Sequence, residues 1–110
     1  MSLSTHVLDT ARGRPAAGVA IELARVEHGA RTVLRTAETN AEGRTDAPLL
    51  GAGELEVGTY ELVFGVGGYF APQPAFYDAV IVRFVVEAPD QHHHVPLLVS
   101  PWAYSTYRGS

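Results

Sequence analysis

An antiparallel β-sandwich of seven or eight strands, with at most one short helix, is the architecture this sequence predicts. Three observations point there. Apolar and polar residues alternate at period two through most segments. Gly, Pro, Asn and Asp interrupt those segments at short intervals. No stretch carries the i, i+3, i+4, i+7 pattern of a long amphipathic helix. A chain of 110 residues is expected to form one domain, residues 1–110, around one core.

Leu3 to Asp9 sets Leu3, Thr5 and Val7 on one face and Ser4, His6 and Leu8 on the other, as a half-buried strand does. Gly13 and Pro15 make Thr10 to Pro15 a turn. Ala17 to Glu27 is a second strand, with Val19, Ile21 and Leu23 on one side. His28-Gly29-Ala30 connects it to a third over Arg31 to Thr39. Asn40-Ala-Glu-Gly43 is a turn in which Gly43 is free to take positive φ, and Arg44 follows at once. Thr45 to Val57 holds Pro48, Gly51 and Gly53 and reads as a short edge strand and a loop. Thr59 to Val66 puts Tyr60, Leu62, Phe64 and Val66 on one face, and Gly67-Gly68 ends it. Pro72 and Pro74 leave room for only a short helical turn between Tyr69 and Tyr77. Ala79 to Ala88 is rich in Val, Ile and Phe, a strand composition. Two last strands, about His92–Val99 and Trp102–Tyr107, are broken at Ser100-Pro101 and are expected to pair, gathering His, Tyr, Arg and the final Ser around a small pocket.

Apolar residues at 46% and charged residues at 18% give a globular balance. A net charge of -4 offers no basic field for nucleic acid. With no cysteine, neither disulfides nor thiolate metal sites are available. No apolar run approaches the ~20 residues of a membrane span. The opening Met-Ser-Leu-Ser-Thr-His has neither a basic nor an apolar signal region, so a cytoplasmic protein is expected.

His92 and His94 share a strand face, and His93 points the other way. Three readings stand for them: a solvated strand start, two metal ligands with His6 as a third, or acid/base imidazoles at His6 and His94. Arg44 is either a surface cation after a hairpin or a planar fork for an oxygen-rich substrate. Trp102, Tyr104 and Tyr107 have an ordinary reading as packing aromatics, Arg108 as a solvated cation and Ser110 as a frayed end. There is no Gly-x-Ser-x-Gly elbow, P-loop or His-Glu-x-x-His motif.

The ending His92-His-His-Val-Pro-Leu-Leu-Val-Ser-Pro-Trp-Ala-Tyr-Ser-Thr-Tyr-Arg-Gly-Ser110 resembles that of the 5-hydroxyisourate hydrolases, the transthyretin-related enzymes of purine breakdown. Tyr107 to Ser110 matches their terminal Tyr-Arg-Gly-Ser. Leu3 to Asp9, Gly13 to Ala16, Asn40 to Arg44, Gly68 to Phe70 and the Phe76-Tyr77 region also fit. The resemblance implies a transthyretin-like sandwich and hydrolysis of 5-hydroxyisourate without metal or organic cofactor. It implies His6, Arg44, His94 and Ser110 as catalytic residues, with Tyr107 helping His6 and Arg44 hold substrate. A homotetramer with sites between dimers is implied too. The chain departs from the family at His93, where Tyr is usual, and at Trp102-Ala103, where Tyr-Gly is usual. Pro72 and Pro74 fall where the family has a short helix, so a shortened helix is expected.

Overall fold

The computed structural model describes residues 2–110. Nine elements lie among the described residues: β1 Leu3–Asp9, β2 Arg14–Pro15, β3 Ala20–Glu27, β4 Ala30–Glu38, β5 Gly58–Phe64, α1 Val66–Phe70, β6 Val80–Val86, β7 His93–Val99 and β8 Tyr104–Thr106. They form two four-stranded sheets, ordered β2-β1-β7-β8 and β4-β3-β5-β6. The fold is the two-sheet β-sandwich that the sequence led us to expect.

Alternation closes the core. Leu3, Val7, Leu97 and Val99 from one sheet meet Ile21, Leu23, Tyr60, Leu62, Phe64, Val80 and Val86 from the other, all buried. Removing these branched and aromatic side chains from water is the main drive for the two sheets to pack. The expected pairing of the last two strands holds, with Leu97 opposite Thr106 and Val99 opposite Tyr104.

Several local expectations are corrected. One pair, β1 with β7, is parallel rather than antiparallel. These strands are far apart in sequence, so no hairpin dictates their direction. The last two residues of the Thr10–Pro15 turn pair with Leu8 and Asp9 as the short strand β2. The edge strand expected within Thr45 to Val57 shrinks to a single bridge between Leu50 and Leu3, since Pro48, Gly51 and Gly53 interrupt any longer ladder. The helix lies upstream of Pro72 and Pro74, and Gly67-Gly68 sit inside it. Glycine fits there for packing reasons: the Gly67 amide donates to the Asp78 carbonyl at 2.8 Å, and a Cβ would stand 2.6 Å from Asp78 Oδ1.

Helix α1 is tied to the first sheet by one buried carboxylate. Asp9 accepts hydrogen bonds from the Tyr69 hydroxyl at 2.7 Å and from the amides of Ala11 and Arg12, both at 3.0 Å. Burial, and then the hydrogen bond to the Asp9 carboxylate, push the Tyr69 phenol above its ordinary pKa, so it stays a donor. Tyr69→Phe leaves the buried carboxylate one donor short. It should destabilise the fold by about 1–3 kcal/mol, read as a lower urea midpoint at unchanged slope.

Candidate functional site

Strand alternation builds the site on the outer face of the first sheet. On β1 the buried positions are Leu3, Thr5, Val7 and Asp9, so Ser4, His6 and Leu8 face outward. On β7 His93, Val95, Leu97 and Val99 are buried, which sends His94 and Leu98 out. The parallel register sets Ser4 beside His94 and His6 beside Pro96, one step along the same face. The outer face of the other sheet is a structural surface, where Glu61 is clamped by Arg31 at 3.0 Å and Arg83 at 2.8 Å.

The turn from Asn40 to Gly43 delivers Arg44 to this face. Asn40 Oδ1 accepts from the amides of Glu42 and Arg44 at 2.9 and 3.2 Å. The Gly43 carbonyl accepts the Val7 amide at 2.8 Å, which docks the turn on β1. Gly43 takes φ +74°, as the turn composition predicted, and a Cβ there would lie 2.3 Å from the Val7 carbonyl oxygen. The turn also fixes His6, whose Nε2 lies 2.9 Å from the Glu42 carbonyl. A carbonyl only accepts, so His6 carries its proton on Nε2 and presents Nδ1 as a lone pair when neutral. Among the described residues Arg44 enters no ion pair.

His94 is half-buried, and its Nδ1 lies 2.8 Å from the Ser4 hydroxyl. Its pKa is held below the ordinary imidazole value, first by burial and then by the charges of Arg44, His92 and His6. Three groups from the turn, β1 and the approach to β7 therefore act with burial on one imidazole and disfavour its cation. Ser4 Oγ also lies 3.2 Å from His92 Nε2, and the His92 and His94 rings stack at 6.3 Å and 15°. His93 points the opposite way, as alternation required: it is buried, and its Nδ1 donates to the Gln91 carbonyl at 3.0 Å. Among the described residues no group of three or more His, Cys, Asp or Glu is arranged to hold a metal ion.

The C-terminal tail is tethered to the same place. The Gly109 amide donates to the His94 carbonyl at 2.8 Å, and the two residues form a bridge. Ser110, exposed, follows immediately. The register of Leu97 with Thr106 is the register of His94 with Gly109, which sets Tyr107 opposite Pro96, itself opposite His6. Tyr107 is 60% exposed and lines a mainly apolar groove of about 280 Å³ with Val82, Phe84 and Val95. Arg108 donates to the Gln91 side chain at 3.2 Å.

His6, Arg44 and His94 thus share one neighbourhood, and Gly109 brings the tail to it. Sequence reasoning missed Ser4 and the Glu42 carbonyl as partners of the imidazoles. Ser4 did stand on the His6 face of its strand, but its contact with His94 depends on the β1–β7 pairing.

The HIUase/Transthyretin family model matches residues 3–109. The 5-hydroxyisourate hydrolase of Deinococcus radiodurans is 56% identical, over 98% of this chain and 95% of its own length. The structure of Klebsiella pneumoniae 5-hydroxyisourate hydrolase matches with a TM-score of 0.85 at 38% identity, covering 100% of both chains. Sea bream transthyretin, solved in complex with thyroxine, matches with a TM-score of 0.91 at 26% identity, over 99% of this chain and 95% of that one.

Proposed function

This chain belongs to the HIUase/Transthyretin family, and on that premise we infer that it hydrolyses 5-hydroxyisourate to 2-oxo-4-hydroxy-4-carboxy-5-ureidoimidazoline, a step of urate breakdown. The observation that carries the reading is the half-buried His94, hydrogen-bonded to Ser4 in a neighbourhood that also holds Arg44 and His6, where its cation is disfavoured. The alternative is a small-ligand carrier. Identity of 56% and 38% to the two hydrolases, against 26% to the thyroxine-bound transthyretin, supports the enzyme.

In this reading His94 or His6 takes a proton from water as the water attacks a ring amide carbonyl. Both imidazoles have an unprotonated nitrogen to offer when neutral. Arg44 holds the planar substrate and stabilises the negative charge that grows on the carbonyl oxygen. A proton is then returned to the departing ring nitrogen. Ser110 and Tyr107 close the end of the pocket, the first with its hydroxyl and terminal carboxylate. No cofactor takes part.

The site faces outward from one sheet of a single chain, so a second copy is needed to exclude water from it. A homotetramer, a dimer of dimers with sites between the dimers, meets that need. The exposed apolar side chains of Phe76, Ile81, Val85 and Trp102 support association. No helix among the described residues is long and apolar enough to cross a membrane. A cytoplasmic location belongs to the same reading.

The test is an assay with freshly generated 5-hydroxyisourate, following its absorbance against the uncatalysed decay. Wild-type chain should accelerate the decay. Deletion of Arg108-Gly109-Ser110 should abolish the acceleration while the chain stays folded, because these residues lie outside the packed core and are held by the Gly109–His94 bridge and the Arg108–Gln91 hydrogen bond. An inactive wild-type chain, or a truncated chain as fast as wild type, would overturn the reading.

A further inference from the structure

We propose that Ser4 and His92 form, with His94, a proton relay that lets His94 work as base and then acid without becoming a cation. Resting on the hydrolase reading above, it assigns relay roles to two side chains that do not touch substrate.

The geometry is a hydrogen-bonded chain of four groups. Ser2 Oγ lies 2.6 Å from His92 Nδ1, Ser4 Oγ lies 3.2 Å from His92 Nε2, and the same oxygen lies 2.8 Å from His94 Nδ1. A hydroxyl owns one proton. When both imidazoles are neutral, Ser4 therefore donates to one ring and accepts from the other. The tautomer of His94 is thereby coupled to that of His92. With Nδ1 committed to Ser4, Nε2 is the His94 nitrogen left for water or substrate. His92 is exposed, so its outer nitrogen exchanges protons with solvent directly or through Ser2.

The protons balance over one turnover. At the start His94 carries its proton on Nδ1, donated to Ser4; Ser4 donates to His92 Nε2; and His92 carries its other proton on Nδ1. As water attacks, its proton goes to His94 Nε2. The Nδ1 proton of His94 passes to Ser4, the Ser4 proton passes to His92 Nε2, and the Nδ1 proton of His92 leaves to solvent. His94 is again neutral, now with its proton on Nε2. When the C–N bond breaks, that proton goes to the ring nitrogen, a proton enters at His92 Nδ1, and each transfer runs backwards to the starting arrangement. The new carboxylic acid ionises to solvent.

The surroundings make such a route useful. Burial disfavours a cationic His94, and so do Arg44 from the turn, His6 from β1 and His92 on its own strand. A base whose cation is disfavoured gains from a hydrogen-bonded route for its second proton.

Ser4→Ala, Ser4→Thr and His92→Gln in the full-length chain test this. Ser4→Ala should lower kcat about tenfold to a hundredfold at low buffer concentration, with KM within about twofold. Added imidazole buffer should raise kcat in Ser4→Ala and not in wild type, and Ser4→Thr should regain most of the rate. A kcat within about twofold of wild type in Ser4→Ala overturns the relay. So does a loss that neither threonine nor buffer repairs, which is the signature of simple misplacement of His94. A second readout needs no turnover. In ¹⁵N spectra of the imidazoles, the His94 tautomer ratio should change in both His92→Gln and Ser4→Ala; indifference to both variants overturns the coupling even in an active enzyme. Coupled tautomers in a wild-type chain that leaves 5-hydroxyisourate untouched would uphold the hydrogen-bonded chain and sink the hydrolase reading instead.

Discussion

Arg44→Ala should lower kcat by about two to three orders of magnitude, the usual loss when one preorganised charge at a developing oxyanion is removed. It should also move the acidic limb of the pH profile. Catalysis needs neutral His94, so the rate falls as pH drops through the pKa of that imidazole. The site holds this pKa below the ordinary value of about 6.5. Burial is the larger cause and Arg44 the next, so removing Arg44 raises the pKa part of the way back. The limb should therefore shift to higher pH, and the variant should lose activity first in mildly acid buffer. Arg44→Lys separates the two roles. It keeps the charge, so the limb should stay near its wild-type position, while the lost fork geometry still lowers kcat. An Arg44→Ala enzyme with wild-type kcat and an unmoved limb would remove Arg44 from the site.

Much of the fold was legible because alternation is a local property. Leu3, Thr5 and Val7 against Ser4, His6 and Leu8 gives the burial of β1 directly. The same rule set His93 and His94 on opposite faces of β7, of which the His93 face is the buried one. The Asn40–Gly43 turn was legible for a similar reason, since its hydrogen bonds and the positive φ of Gly43 are made within five residues. Relations across the chain were not legible. Nothing in residues 2–9 announces a parallel partner some 90 residues away, yet that pairing alone sets Ser4 against His94. The helix was misjudged because glycines and prolines were read as stops. Gly67 is needed for close approach to Asp78, and Pro72 acts only after the helix has ended. Residue resemblance supplied what periodicity could not, namely that His6, Arg44 and His94 belong together.

Gly109→Ala should reduce kcat by about a hundredfold or more while leaving stability nearly unchanged, within about 0.5 kcal/mol of wild type. A methyl group at this position would lie 2.5 Å from His94 Cδ2 and 3.2 Å from Cγ. Those atoms belong to a ring tied through Nδ1 to Ser4, so the ring cannot yield without breaking that hydrogen bond. Tail and imidazole cannot both keep their places. Gly109 sits near the end of an exposed tail, outside the packed core, so little folding energy depends on it. Gly43→Ala provides the contrast. Its new carbon would meet a backbone oxygen at 2.3 Å, from a φ of +74° that itself disfavours alanine by about 1–2 kcal/mol. That variant should lose activity and stability together, because the same turn docks β1 and fixes His6 through Glu42. Kinetics and thermal melts on the two variants tell a glycine that accommodates the imidazole from one that accommodates the backbone. If Gly109→Ala keeps wild-type kcat, the tail does not position His94, and the tight packing at the Tyr-Arg-Gly-Ser ending has some other cause.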